Sequence, residues 1–360
     1  MKILFYLLGG LAVIALIFSI WYFQEPTTEL VDATGNELTV GSALQGNGEV
    51  FGGTLFEHTR ELIAAREFAA AKEKLVEILE ASERDGEACI LLSDVTRELK
   101  EVDAAVDYGR KAVELLPDSP EAHLTYARAL GAELTRHMGS AAGMFRAMKG
   151  VGIFKEELKR VIELDPGDTE ARMMLMFTNM APRPIGNIDR ALELAQEIEA
   201  RDPVKGKQFL AICYKQKKET ERAIELCLAG ITDYPEAMGF HTTLASIYVE
   251  QERFEEADVH FDAARQGEKD EVYYRSLYFQ GLMRVNHKFD QARAVKLFDE
   301  YIAGEPYWDG MPSVAHACLR KGNALEQLNR IEEAREAYEN SLRLKPGFEL
   351  AEEALEDLQH

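Results

Sequence analysis

The chain has 360 residues, of which 63 are acidic and 41 basic, so its net charge is −22. A surface of that sign repels phosphate backbones, and we therefore expect no nucleic-acid partner. The four cysteines form no Cys-x-x-Cys motif, which argues against a zinc ribbon or a thioredoxin-like redox site. A disulfide between Cys213 and Cys227 remains an open alternative. One basic stretch interrupts the acidic composition: Arg201, Lys205, Lys207, Lys215, Lys217 and Lys218.

The N-terminal segment, residues 3–23, is uncharged and almost wholly apolar. A helix of that length crosses a hydrocarbon layer of about 30 Å, and Trp21 and Tyr22 suit its interface. A cleaved signal peptide needs small residues after its apolar stretch, whereas this stretch ends in bulky side chains. A lipoprotein needs a cysteine there, and the first one is Cys89. We therefore predict an uncleaved transmembrane signal anchor over residues 1–23, with the cleaved signal peptide as the alternative.

The flanks of this segment predict its orientation. Lys2 precedes it, while only acidic charges follow it before Arg60. The positive-inside rule places the N-terminus in the cytoplasm and the remainder across the membrane. We expect a single-pass protein of the bacterial inner membrane with its main domain on the periplasmic side. Residues 24–53 are rich in Gly, Thr, Asn and Glu without helical periodicity, and they predict a flexible linker.

From residue 54 onward, an alanine is followed twelve residues later by a proline at five places: Ala105/Pro117, Ala191/Pro203, Ala223/Pro235, Ala294/Pro306 and Ala334/Pro346. The units recur in steps near 34 residues, as from Ala71 to Ala105. Apolar residues show helical spacing between the turns. A repeat of this length made of helix pairs predicts an all-α solenoid.

The clearest unit is residues 315–346. Gly322 and Ala334 are small enough for its two helices to approach closely, Tyr338 fills the gap to the next unit, and Pro346 ends the second helix. Matching small residues are Ser93, Ala211 and Ala245, and matching large ones are Leu75, Phe261 and Phe298. This pattern resembles the tetratricopeptide repeat family. The resemblance implies a right-handed α-solenoid over residues 54–360, with about eight helix pairs and a C-terminal capping helix.

The third unit departs from the pattern. It has Phe154 in place of the alanine, and it carries an insertion at about residues 132–152. With the turn Ala-Pro-Arg-Pro-Ile-Gly at residues 181–186, it is similar to a bacterial branch related to the regulator-of-microtubule-dynamics proteins. That branch shares a helix-extending insert and brings no defined biochemical activity.

In the tetratricopeptide family the first helix of each pair lines the concave face. The resemblance therefore implies contacts with a protein partner, as an extended peptide or a helix. The predicted contact residues are Ile90, Leu124, Arg128, Met173, Phe177, Met180, Ile212, Lys215, Tyr278 and Leu282. Other residues predicted to point inward are Glu87, Asp94, Arg97, Gln208, Thr242, Ser246, Val249 and Val285. We expect Met174 and Met176 in the core. For Met173, Phe177 and Met180, surface and core are equally open.

The sequence contains no catalytic motif of the G-x-S-x-G, H-E-x-x-H or phosphate-binding Gly-Lys-Ser/Thr type. His123 and His241 occupy equivalent repeat positions, which predicts packing roles, and His316 with Cys318 is a poor metal pair. We predict no enzyme activity, no cofactor and no metal. The leading hypothesis is a membrane-anchored scaffold or adaptor in assembly of an envelope complex. The alternatives are a transporter-associated or ligand-binding accessory protein and a c-type cytochrome biogenesis factor.

Overall fold

A computed structural model describes residues 49–136, 141–306 and 311–358, and within these ranges the chain is all-α without strands. They hold 17 helices: α1 (Glu49–Ala64), α2 (Phe68–Ala81), α3 (Gly86–Glu98), α4 (Val102–Leu115), α5 (Pro120–Arg136), α6 (Ala141–Leu164), α7 (Thr169–Asn179), α8 (Ile188–Glu199), α9 (Pro203–Gln216), α10 (Thr220–Asp233), α11 (Gly239–Glu250), α12 (Phe254–Ala264), α13 (Glu271–His287), α14 (Gln291–Gly304), α15 (Val314–Gln327), α16 (Ile331–Leu344) and α17 (Glu349–Asp357).

The predicted membrane anchor at residues 1–23 and most of the predicted linker lie outside the described residues. None of the helices that the structure describes is long and apolar enough to cross a membrane.

The helices follow the predicted order of eight pairs, from α1–α2 to α15–α16, with α17 as the final helix. The chain divides into two compact units, residues 1–187 and residues 188–360, here called the N-terminal and C-terminal units. The division falls between α7 and α8. The two helices of the predicted fourth pair therefore belong to different units.

Two predicted boundaries differ from the structure. Helix α1 begins at Glu49, inside the segment predicted as linker. The glycine-rich composition argued against a helix there. Each glycine costs a helix only about 1 kcal/mol, however, and Leu55 and Phe56 offset that cost by packing on the core. The predicted insertion lengthens both helices of the third pair, since α5 continues to Arg136 and α6 begins at Ala141.

The turns inside the pairs repeat one backbone geometry. Arg66, Lys100, Lys218, Glu252 and Asn329 all have φ between 58° and 67°. This left-handed conformation ends the first helix and lets the chain reverse direction. Aspartates begin other helices, as where Asp85 and Asp202 accept hydrogen bonds from backbone N–H groups three residues later at 2.9 and 3.0 Å.

The last pair shows how two helices of a pair come into contact. A Cβ atom at Gly322 would lie 2.3 Å from a ring carbon of Tyr338, so only glycine fits there. The Tyr338 hydroxyl donates to Glu326 at 2.8 Å and accepts from Asn323 at 3.0 Å. Because both partners lie on α15, Tyr338 fills the interior of its own pair. Its predicted role in filling the gap to the next unit stays a prediction.

A buried polar network links α12, α13 and α14 in the C-terminal unit. Arg284, only 1% exposed, donates to Asp258 and to the backbone oxygen of Gln280. The Gln280 amide donates to Asp258 and Asp262 at 2.9 and 3.0 Å, and Arg293 donates to Asp262 at 2.8 Å. Paired charges of this kind fix the register of neighbouring helices rather than adding much net stability.

The imidazole of His316 on α15 packs against Phe348, the residue that precedes α17. Its ring centroid lies 4.7 Å from that of Phe348, and its Nδ1 is 2.8 Å from the Ser313 hydroxyl. Burial, followed by the charges of Lys345 and Arg320, lowers the pKa of His316 from 6.5 to about 4.

We predict that Gly322→Ala destabilises the C-terminal unit by about 1–3 kcal/mol, because the added methyl group overlaps the Tyr338 ring. A lower urea midpoint by circular dichroism tests this. Gly152→Ala on α6 is the matched control, because an added Cβ atom there meets nothing within 4 Å. An unchanged midpoint for Gly322→Ala contradicts the packing described.

We also predict an acid-dependent loss of stability from His316. Between pH 6.5 and about 4 the unfolded chain binds a proton that the folded chain does not. The contribution of neutral His316 to the free energy of unfolding is therefore complete above pH 6.5 and is lost as the pH falls toward 4. Melting temperatures across this range are expected to fall less steeply for His316→Gln than for the unchanged chain. Equal slopes of melting temperature against pH for the two proteins would contradict the prediction.

Candidate functional site

First helices of successive pairs lie side by side within each unit. In the N-terminal unit, Arg60 of α1 pairs with Glu87 of α3, and Arg128 of α5 pairs with Glu170 of α7 at 2.8 and 2.6 Å. In the C-terminal unit, the Lys215 ammonium of α9 donates to the Ser246 hydroxyl of α11 at 2.9 Å. Side chains predicted to point inward therefore do meet across neighbouring first helices.

Helix α7 is buried from Ala171 to its end. Every residue from Ala171 to Met180 is buried, and Met174 and Met176 have no exposed surface. The core prediction for these two methionines is confirmed. The predicted contact residues Met173, Phe177 and Met180 are only 6%, 7% and 5% exposed.

Three other predicted contact residues are also buried: Ile90, Leu124 and Tyr278. Tyr278 packs against Phe298 and Tyr301, with ring centroids 5.7 and 5.4 Å apart. In this conformation the six buried side chains expose too little surface to anchor a partner. Partner binding by the ten predicted residues itself stays a prediction.

Arg128 is half-buried and engaged within the N-terminal unit. Its guanidinium forms a two-bond fork with the Glu170 carboxylate. Burial opposes its charge, but Glu170 outweighs burial and raises the pKa of Arg128. A partner's carboxylate would have to displace Glu170 to reach this cation.

The remaining three predicted residues, Ile212, Lys215 and Leu282, are half-exposed. The inward-pointing residues of α9 and α11 share this exposure. We call these six residues the α9–α11 face: Gln208, Ile212, Lys215, Thr242, Ser246 and Val249. Among the predicted inward positions, this face combines apolar, hydroxyl, amide and ammonium groups that solvent reaches.

The charge of the α9–α11 face is locally balanced. Lys215 lies 3.0 Å from Glu250, which also lies 3.5 Å from Lys218. Glu250 was not predicted from the sequence, although it lies four residues after Ser246 and therefore on the same side of α11.

The other lysines of the basic stretch also lie beside acids. Lys207 is 2.9 Å from Asp233, and Lys217 is 3.1 Å from Asp189. The stretch is thus a set of ion pairs rather than a free cationic patch.

The cysteines are free and buried, so the disulfide between Cys213 and Cys227 that the sequence left open is absent. Burial raises the pKa of both thiols to about 12, which leaves almost no reactive thiolate at neutral pH. Among the described residues, no group of three or more His, Cys, Asp or Glu side chains is placed to hold a metal ion.

Comparisons with known proteins agree with the observed helix pairs. Family models described as tetratricopeptide repeat match residues 56–120 and residues 315–348. These segments correspond to the first helix pairs and to the last pair, which carries Gly322 and Tyr338. No curated protein matches the sequence.

Among solved structures, a tetratricopeptide repeat protein from Parabacteroides merdae is similar, with a TM-score of 0.51 and 11% identity over 85% of this chain and 98% of that chain. MamA has a TM-score of 0.36 and 20% identity over 48% of this chain and 92% of that chain. At such identities the first similarity shows the fold alone. Together with the observed helix pairs, these matches show that the chain contains tetratricopeptide repeats at residues 56–120 and 315–348.

Proposed function

We propose that this chain is a membrane-anchored scaffold that binds a protein partner through the α9–α11 face. The observation that carries the proposal is exposure. All six residues of this face are half-exposed, whereas the inward positions of α7 are buried. Tetratricopeptide repeats generally present such faces to other proteins, which supports a partner of this class.

The chemistry of the face suits an extended peptide. Ile212 and Val249 offer apolar surface on neighbouring helices, and Gln208 offers a side-chain amide beside it. The hydroxyls of Thr242 and Ser246 already donate to backbone oxygens, so they offer acceptors. An extended chain presents alternating side chains and unpaired backbone N–H and C=O groups, so it uses both kinds of surface.

Lys215 sets the charge preference of the face. Its ammonium is held between the Ser246 hydroxyl at 2.9 Å and the Glu250 carboxylate at 3.0 Å. The Glu250 side chain is 50% exposed and is also shared with Lys218. A partner's carboxylate can therefore take over one of these contacts without leaving a lysine unpaired.

The cellular setting of the proposal comes from the N-terminal sequence. Residues 3–23 form an apolar segment of membrane-spanning length preceded by Lys2 and followed by acids. We infer a single-pass inner-membrane protein with its repeats on the periplasmic side, where it serves assembly of an envelope complex. A small molecule that co-purifies in place of a protein would favour the ligand-binding accessory protein instead.

We predict that a photo-crosslinking amino acid at position 212 captures a discrete protein in intact cells. The same group at position 259 does not, although Val259 is 64% exposed on the second helix α12. Immunoblotting of crosslinked products, followed by mass spectrometry, identifies the partner. Equal products at both positions would mean that the α9–α11 face is not the binding surface.

With that partner in hand, the double variant Ile212→Ala, Lys215→Ala is expected to lose about 2 kcal/mol of binding free energy, roughly a thirtyfold rise in Kd. Leu228→Ala, which truncates a 46% exposed side chain on α10, serves as the matched control with unchanged Kd. Both variants should keep the melting temperature of the parent, because none of the three substituted side chains is fully buried. Unchanged affinity in the double variant removes the α9–α11 face from the proposal.

The predicted topology has its own test. A reporter that is active only after export, fused after His360, is expected to be active, because the charges flanking residues 3–23 favour a cytoplasmic N-terminus. A cytoplasmic reporter at the same site should be silent. The opposite pair of results would reverse the orientation.

A further inference from the structure

Two histidines face each other inside the sixth helix pair. His241 of α11 and His260 of α12 have their Nδ1 atoms 2.9 Å apart, and their ring centroids are separated by 5.1 Å with planes inclined by 35°. Both side chains are half-exposed, so solvent ions reach them. The sequence assigned His241 only a packing role, and nothing in the repeat pattern connected it to His260.

The chain contains an internal comparison for this pair. His123 occupies the position equivalent to His241 in the third pair. Its Nδ1 lies 2.5 Å from a Glu157 carboxylate oxygen, and its Nε2 lies 3.0 Å from the backbone oxygen of Pro117. Glu157 follows Phe154 by three residues, as His260 follows Ala257. In the sixth pair, a second nitrogen base therefore stands where the third pair has a carboxylate.

Both imidazoles of the sixth pair are neutral at pH 7. Burial lowers the pKa of His241, and burial together with the charge of His241 lowers the pKa of His260. The carboxylate of Glu256, one turn before His260, acts in the opposite direction, but its Oε2 also accepts a hydrogen bond from Arg253 at 2.6 Å. A neutral imidazole is the form that binds metal ions.

The separation of the two nitrogens selects a coordination geometry. Metal–nitrogen bonds to histidine measure about 2.0–2.1 Å. In the free chain, 2.9 Å is the length of an Nδ1–H···Nδ1 hydrogen bond, so the ion must take the place of that proton. At the same separation, the two nitrogens then subtend an angle of about 90° at the ion, whereas a tetrahedral angle requires about 3.3 Å. A right angle between neighbouring ligands is typical of square-planar and tetragonal ions, of which Cu²⁺ and Ni²⁺ are the common examples.

We propose that His241 and His260 form a two-histidine site for a tetragonal divalent ion, Cu²⁺ or Ni²⁺, bound through both Nδ1 atoms. Water molecules complete the coordination, because the described residues place no third His, Cys, Asp or Glu ligand beside them. The bound ion joins α11 to α12. Since Thr242 and Ser246 also lie on α11, it stiffens the helix that carries half of the α9–α11 face. The site itself does not depend on the proposed function.

The test uses the full-length protein in detergent with NiCl₂ as the probe. A ligand that binds only the folded chain raises its melting temperature in proportion to the logarithm of concentration. We expect this rise for the unchanged chain at pH 7.5, and at least tenfold weaker Ni²⁺ binding in calorimetry for His241→Gln and for His260→Gln. His123→Gln is the matched control, because it removes a histidine at the equivalent position and should bind Ni²⁺ normally.

Electron paramagnetic resonance of the Cu²⁺-loaded, unmutated chain tests the site without any variant. Labelling with ¹⁵N-histidine should change the hyperfine pattern in the manner of two equivalent imidazole nitrogens, and acidification should replace that pattern with the spectrum of aqueous Cu²⁺. Two results overturn the proposal: Ni²⁺ affinity that persists in both glutamine variants, or a spectrum showing fewer than two histidine nitrogens.

Discussion

The close approach of two helices within each pair is the constraint on which the rest of this structure depends. It requires a small residue opposite a large ring. Gly322 lies against Tyr338 inside the last pair, and Gly281 lies against Phe298 inside the seventh pair, each with no room for a Cβ atom. Because these contacts bring the helices together, the remaining side chains of the first helices are aligned in rows. The α9–α11 face is the consequence of that alignment in the C-terminal unit.

Burial and polar contacts then determine which side chains of the first helices a partner can reach. Arg128 is engaged by Glu170 in the N-terminal unit, and the apolar positions of α7 are buried. On α9 and α11, Lys215 donates to Ser246 at a partly exposed contact, and the apolar side chains of Ile212 and Val249 beside it are partly exposed as well. The buried apolar positions of α7 and the partly exposed ones of α9 and α11 therefore offer different surfaces, although they belong to the same kind of repeat. The proposed docking on the C-terminal unit rests on this difference in exposure.

The fold was predictable from the sequence because its repeat is set by local rules. Small residues, turn positions and terminal prolines recur at fixed spacing, and eight pairs with a final helix follow from them. The left-handed residues of the turns gave weaker signals, since Lys100 and Glu252 adopt φ of 64° and 58° without being glycine. The helical insertion was visible only as extra length.

The candidate site was less predictable because exposure depends on how surrounding helices close over a position. Helical periodicity assigned Phe177 and Ile212 to the same face, yet one is buried and the other half-exposed. Contacts between neighbouring helices were also not predicted: Arg284 pairs with Asp258 on the preceding helix, and His241 contacts His260, 19 residues further along the chain. Such partners follow from tertiary packing, which spacing alone does not encode.

Hydrogen–deuterium exchange of the full-length chain, free and bound to its crosslinked partner, tests most directly whether the α9–α11 face is the binding surface. Amides of α7 should exchange slowly in both states, because that helix is buried. Peptides covering α9 and α11 should gain protection on binding, while those covering the second helices α10 and α12 should not. New protection confined to the N-terminal unit or to the second helices would contradict the proposal that partners bind through the α9–α11 face.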